Sequence, residues 1–294
     1  AGMSASGLFA AARPPEPDGI LGLMRAFAED PRPGKIDLGV GVYRDARGRT
    51  PVMAAVHAAE RRIWERERSK SYTSLIGDAP FLEALADLVL GSAVPAERVA
   101  AAATPGGTGA VRQALDLVAL AARDTGRGAT VRVSAPTWPN HLSILTAIGQ
   151  PWRPYRWRDP ESGALDRAGL FEDLADLGAG DVLLLHGCCH NPSDVDLAAE
   201  DWGALAALCA ERGAVPMIDL AYQGFGDGLE ADAAGLRKLV AAVPEALVCV
   251  SGSKTFGLYR ERVGAVFALC DGAAARDRVQ AVLAGLNRQA YSFP

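Results

Sequence analysis

The sequence predicts an α/β domain with a mostly parallel sheet covered by helices on both faces. Apolar, strand-like runs alternate with amphipathic, helix-like segments through most of the 294 residues, which is how parallel strands are connected. The strand-like runs also end in chemically versatile residues, among them His186, Asp219 and Ser251. In open α/β sheets ligands gather at the carboxyl ends of strands, so these ends are expected to converge on one site.

Taken in order, residues 1–18 are rich in Ala, Gly and Pro and read as an N-terminal arm. Residues 19–50 hold one helix, Ile20 to Ala28, and the turn-rich Leu38-Gly-Val-Gly-Val-Tyr-Arg44; residues 51–294 form the large domain. Strands are expected at Val99 to Ala103, Thr130 to Ser134, Val182 to His186, Val215 to Leu220, Leu247 to Ser251 and Gly264 to Leu269. Helices are expected at Ala110 to Ala122, Trp202 to Arg212, Gly235 to Val243 and Ala274 to Leu286. With 49% hydrophobic residues the core is ample. A net charge of −5 with scattered basic residues argues against a nucleic-acid partner. Apolar stretches fall short of the ~18 residues of a membrane span. The start of the chain lacks the basic-then-apolar order of a secretory signal, and the five cysteines lack framework spacing, so a cytoplasmic protein with reduced cysteines is expected. His186, Cys188, Cys189 and His190 lie close together but without the paired spacings of structural zinc, and no metal site is assigned.

Lys254 stands just after the apolar run Ala246 to Ser251 and is one of only four lysines. It is either a surface cation or a required amine: arginine supplies positive charge almost everywhere else, but only lysine can lose its proton and attack a carbonyl. Thr104-Pro-Gly-Gly-Thr-Gly-Ala110 reads as a loop between strand and helix. It is a phosphate cradle, a structural turn or part of a dinucleotide site, although G-x-G-x-x-G is not met. Asp219 ends a buried strand and either caps the next turn or faces a cation such as a pyridinium nitrogen. Trp138 and His141, in Ala135-Pro-Thr-Trp-Pro-Asn-His141, are core packing or a ring-stacking face with a carboxylate partner. Asn191 is a turn residue or a donor and acceptor at the same rim.

Together, Pro-Gly-Gly-Thr-Gly, Pro-Thr-Trp-x-Asn-His, Cys-His-Asn-Pro, Asp-x-Ala-Tyr-Gln-Gly-Phe and Ser-x-Ser-Lys-x-Phe-Gly-Leu-Tyr-x-Glu-Arg-Val-Gly occur in an order that resembles the aspartate/aromatic aminotransferases, class I pyridoxal-phosphate enzymes. The resemblance runs from about Gly19 to Pro294. It implies the type I pyridoxal-phosphate transferase fold, with residues 19–50 as the N-terminal part of a small domain. It also implies pyridoxal 5'-phosphate held covalently by Lys254, which moves the proton between substrate Cα and cofactor. Asp219 would keep the ring nitrogen protonated with support from His141, Tyr222 and Asn191 would contact the phenolic oxygen, and Trp138 would stack on the ring. Gly107, Thr108, Ser251, Ser253 and Arg262 would form the phosphate cup, joined by Tyr72 from a neighbouring subunit. Arg288 would cross the interface to clamp a distal carboxylate, and Val40 and Gly41 would lie over the substrate. The implied assembly is a homodimer with shared sites, and the implied reaction is ping-pong transamination through pyridoxamine phosphate between aspartate, or an aromatic amino acid, and 2-oxoglutarate. Val42, Arg44, Thr50 and Thr108 resemble the aspartate members more than the aromatic ones.

Two motifs depart from the family pattern: Asn191-Pro-Ser-Asp194 replaces a glycine by Asp, and Tyr291-Ser-Phe-Pro294 carries Phe in place of a polar residue. The chain also stops before the rest of the family's small domain and its α-carboxylate arginine, so the expectation at this level is an incomplete small domain and impaired turnover. A decarboxylase or lyase using the same cofactor is the alternative chemistry.

Overall fold

A computed structural model describes residue 9, residues 19–37, residue 39 and residues 41–294. The chain divides into two compact units, Ala1–Thr50 and Pro51–Pro294. In the first, helix α1 (Gly19–Glu29) is closed by Lys35, whose ammonium donates to the carbonyls of Phe27 and Asp30 at 2.5 and 2.6 Å. A cation at a helix C-terminus satisfies orphan carbonyls and complements the dipole. Asp45 organises a turn by accepting from the backbone of Arg47 and Arg49, both at 2.9 Å.

The second unit is built on a seven-stranded sheet of order β1-β7-β6-β5-β4-β2-β3. Its strands are β1 (Val99–Pro105), β2 (Val131–Ala135), β3 (Trp152–Arg156), β4 (Val182–His186), β5 (Val215–Leu220), β6 (Ala246–Ser251) and β7 (Val263–Leu269). Only β7 runs against its neighbours; the pairs β2–β3, β2–β4, β4–β5 and β5–β6 are parallel. The helices are α2 (Ala54–Arg66), α3 (Ala79–Leu90), α4 (Gly106–Thr125), α5 (Pro139–Ile148), α6 (Arg167–Asp173), α7 (Ala199–Arg212), α8 (Leu229–Ala241), α9 (Gly252–Thr255) and α10 (Ala273–Ala290).

Residues along each strand alternate between two cores. Leu183 and Leu185 pack in one with Leu205, Leu236 and Trp157, while Val182 and Leu184 pack in the other with Val111, Leu115 and Leu283. Because both faces are covered, β4 is buried at every position, and its Val-Leu-Leu-Leu reads as a continuous apolar run. The sheet edges look different. β3 contains Pro154 and is exposed at all but Tyr155, as edge strands tolerate. β1 is closed by a side chain: Gln280 accepts from Ala101 N at 2.9 Å and donates to Ala101 O at 2.8 Å, completing hydrogen bonds that a further strand would have made. No helix among the described residues is long and apolar enough to cross a membrane.

One sequence expectation is corrected locally. The glycine segment expected as a loop is almost absent, since β1 extends through Pro105 and α4 begins at Gly106, a full turn before the expected Ala110. The glycines are therefore the first turn of the helix, where the backbone N–H groups are unpaired by the helix itself.

Candidate active site

The parallel strands bring their carboxyl ends to one rim, and β7, running the other way, brings its amino end there. Arg262 immediately precedes β7 and so meets residues that follow β5 and β6. The register sets His186 beside Asp219 and Ser251 beside Gly264. A cleft of about 670 Å³, including its open mouth, is lined by Gly107, Thr108, Trp138, His186, Cys188, Asn191, Asp219, Ala221, Tyr222, Ser251, Ser253, Lys254 and Arg262.

One end of this cleft suits an anion. Gly106 adopts φ +74°, and a Cβ there would sit 2.4 Å from Arg262 Nη2; a Cβ on Gly107 would sit 2.8 Å from Ser251 Cβ. Side chains at either position would push Arg262 or Ser251 away. The 20-residue helix α4 thus presents its N-terminus to the hydroxyls of Thr108, Ser251 and Ser253 and to a guanidinium. Arg262 is itself in the left-handed region at φ 57° and is steadied by Tyr259 O at 2.9 Å. Helix dipole, backbone N–H groups, hydroxyls and guanidinium together form a binding set for a phosphate dianion.

The other end is anchored by Asp219. Its Oδ2 lies 2.8 Å from His141 Nε2, and the connection continues from His141 Nδ1 to Thr137 Oγ1 (2.9 Å) and on to His186 Nε2 (3.1 Å). His186 Nδ1 accepts from the backbone N–H of Asn191 at 3.4 Å. That N–H can only donate, which orders the chain: His186 donates to Thr137, Thr137 to His141, and His141 to the Asp219 carboxylate. Burial, then His190 and His141, hold His186 well below the usual histidine range. His190, packed 4.0 Å from His186 and bonded to Ser134 and Ser193, is pushed down to about 4, mainly by burial.

These neutral histidines have a consequence for acid stability. Below the unfolded-state pKa near 6.5 the unfolded chain takes up a proton that folded His190 refuses. The stability present above that value is therefore lost as pH falls towards 4, by roughly 3 kcal/mol for His190 alone. Chemical denaturation between pH 7 and 4 is expected to show this decline, and His190→Gln is expected to flatten it; an unchanged slope would contradict the assignment.

Lys254 sits between the two ends, with Nζ 5.0 Å from the centroid of the Tyr222 ring. Burial lowers its pKa, Asp219 opposes that shift, and Arg262 adds to it. The Tyr222 hydroxyl is raised by burial and by Asp219, and a hydrogen bond from Asn191 pulls it back. Trp138 precedes α5 and packs edge-on to His141 at 5.2 Å. Asp194 takes φ 55°, a left-handed geometry that Asp tolerates better than most residues.

A family model described as aminotransferase class I and II matches residues 33–294. The chain belongs to this family. It is 52% identical over 282 residues to an aromatic-amino-acid aminotransferase of Paracoccus denitrificans, covering 96% of this chain and 71% of that protein. It is 44% identical over 280 residues to an aspartate aminotransferase of Haemophilus influenzae, covering 94% and 70%. The solved structure of an aromatic-amino-acid aminotransferase from Burkholderia pseudomallei, covalently bound to pyridoxal phosphate, superposes with a TM-score of 0.92 at 37% identity, covering 98% of this chain and 72% of that one.

The family's cofactor is pyridoxal phosphate, and the aminotransferase cleft fits it on its own chemistry: an anion cup walled by glycines, a carboxylate opposite, and a lysine of lowered pKa between. The cleft unites Gly107, Thr108, Trp138, Asn191, Asp219, Tyr222, Ser251, Ser253, Lys254 and Arg262, with His141 behind Asp219. Tyr72 and Arg288 do not line it. They meet instead around Phe293, which stacks on the Tyr72 ring at 4.8 Å and lies 5.8 Å below the Arg288 guanidinium. Gly41 belongs to the first unit, and Val40 lies outside the described residues. Thr137 and His186 were not singled out for this role from the sequence. The i, i+4 spacing of Thr137 and His141 was the one available signal, and His186 reads locally only as a strand end.

Proposed function

We propose that this aminotransferase exchanges amino groups between aromatic or dicarboxylic amino acids and 2-oxoglutarate by a ping-pong route. The observation that carries the reading is Lys254: a half-buried amine of lowered pKa, set between an anion cup and the Asp219 carboxylate. Bound pyridoxal phosphate supplies an electrophilic carbonyl carbon and a cationic ring that withdraws electrons from a substrate Cα. The phosphate would be held by Gly107, Thr108, Ser251, Ser253 and Arg262, the ring nitrogen by Asp219, the ring face by Trp138 and the phenolic oxygen by Tyr222 and Asn191. His141 donates to Asp219 and fixes its orientation. Lys254, whose charged form burial disfavours, is placed to take the Cα proton and return it on the other side of the reaction.

Relatives named for aromatic substrates, at 52% identity, and for aspartate, at 44%, both match over most of the chain, which supports a range that includes both. Arg288 supports the dicarboxylate half, because a planar guanidinium pairs with a carboxylate in two parallel hydrogen bonds. A homodimer is supported by α2, which buries none of its residues and exposes Ile63 and Trp64 (81%), and by Tyr72 at 80% exposure. A cytoplasmic location is part of the same reading. The test is a steady-state assay of the holoenzyme with aspartate, tyrosine and phenylalanine against 2-oxoglutarate. Arg288→Ala is expected to lower kcat/KM for aspartate by about 10²-fold or more, the scale of losing a desolvated charge pair, while phenylalanine changes little. Equal losses for both donors would remove Arg288 from substrate recognition.

A further inference from the structure

Asn287 is fully buried at the last turn of α10, one residue before Arg288. Its Nδ2 donates to Leu75 O at 2.9 Å and to Ala103 O at 3.2 Å. Its Oδ1 accepts from Gln113 Nε2 at 2.9 Å and from Tyr291 OH at 2.6 Å. Gln113, itself 3% exposed, also reaches Tyr291 OH at 3.2 Å. One amide therefore uses both donor hydrogens and both acceptor lone pairs on four different segments. Leu75 belongs to the segment that carries Tyr72, Ala103 to the end of the strand leading into the anion cup, Gln113 to the helix that opens from that cup, and Tyr291 to the segment before Phe293.

The cluster is not what stability alone would select. Gln113 Oε1 is left without a partner in a buried position, and buried polar networks that are not fully satisfied compare poorly with an apolar core of the same shape. Turning the Gln113 amide over would not help, because it would set its oxygen against Asn287 Oδ1. What the network provides is register. Apart from Asn287, the described contacts between the 72–77 segment and the end of the chain after α10 are the Phe293 ring stacked on Tyr72 and Pro294 beside Gly77, while Ile76 O accepts from Ala103 N at 2.8 Å to tie the segment to β1.

We infer that Asn287 is a positioning residue that locks the Tyr72 segment and the Arg288 end of α10 to the anion-cup strand, so that the two side chains read as reaching the neighbouring subunit's site are held in register with each other. The clamp itself rests on the reading of Arg288 above; the locking does not. Asn287→Leu removes all four hydrogen bonds, whereas Gln113→Leu leaves the two to Leu75 and Ala103 in place.

Amide hydrogen exchange of the holoenzyme tests the lock independently of turnover. Asn287→Leu is expected to raise exchange in residues 74–77 and 288–292 together, by about tenfold or more, while residues 217–225 stay within about twofold; Gln113→Leu is expected to leave 74–77 unchanged. If Asn287→Leu does not accumulate folded, Asn287→Ala, which deletes the same four hydrogen bonds without adding bulk, is expected to give the same paired rise. A rise at one segment alone, or a uniform rise across the sheet, overturns the inference. In parallel assays Asn287→Leu is expected to lower kcat/KM for aspartate relative to phenylalanine by about tenfold, the cost of a clamp displaced by about an ångström or less, with no further loss of selectivity when added to Arg288→Ala. If Arg288→Ala alters selectivity and Asn287→Leu does not, the positioning role fails. If Arg288→Ala leaves selectivity unchanged, the dicarboxylate reading fails, and the paired exchange result still decides the lock.

Discussion

Lys254→Ala is expected to abolish transamination, by at least about 10⁴-fold in kcat, while leaving the fold intact. Removal of a positioned general base alone is worth about 10²–10⁴, and in the proposed function the same amine would also attach the cofactor. The side chain is half-buried and its ammonium lies 5.0 Å from the Tyr222 ring centroid, and thermal unfolding is expected to move little. Lys254→Arg is the sharper variant. It restores length and charge, but a guanidinium does not lose its proton in a protein and so can neither attack a carbonyl nor abstract a proton. Both variants are expected to lose the visible absorbance of covalently held cofactor while keeping phosphate-dependent binding through Arg262 and the α4 N-terminus. Retention of more than about a tenth of wild-type kcat by either variant would remove Lys254 from the centre of the mechanism.

Asp219→Ala carries the second large effect, an expected loss of about 10²–10⁴-fold in kcat with cofactor still bound. The carboxylate is the one anion set opposite the anion cup, and it is held by His141 at 2.8 Å. Orphaning a buried partner of a charge pair costs about 3–5 kcal/mol, which is the same span of rate when the charge is needed at the barrier. His141→Leu is expected to cost less, because it removes the donor that orients Asp219 but leaves the charge. The two effects are expected to be non-additive, since His141 acts only through Asp219. Pre-steady-state absorbance with saturating aspartate distinguishes slowed proton transfer from weakened binding; full additivity of the two substitutions would separate His141 from Asp219 functionally.

Much of the site was legible because its signals are local. The order of small, hydroxyl and basic residues around Lys254 and Arg262 is written in a single stretch, and the strand ends at His186, Asp219 and Ser251 follow from apolar runs that stop abruptly. The sheet edges were not legible for the same reason. Trp152-Arg-Pro-Tyr-Arg has neither a continuous apolar run nor a clean alternation, because β3 is solvated and has nothing to bury on its open side. The first turn of α4 was read as a loop because its glycines are poor helix formers, and close approach by Ser251 and Arg262 outweighs that preference.

The sequence by itself determined the chemistry available: one scarce amine, one strand-end carboxylate, a glycine-rich anion cup and an order of motifs sufficient to identify the family. Only the tertiary structure decided how those groups are tuned and connected. The lowered pKa of Lys254, the neutral His186 and His190, the proton order from Asn191 to Asp219, and the four-way amide of Asn287 all join residues that are far apart along the chain. Such properties depend on burial and on the charges within a few ångströms. Residue types fix which groups can react, but distances across the fold fix which of them are charged and where they point.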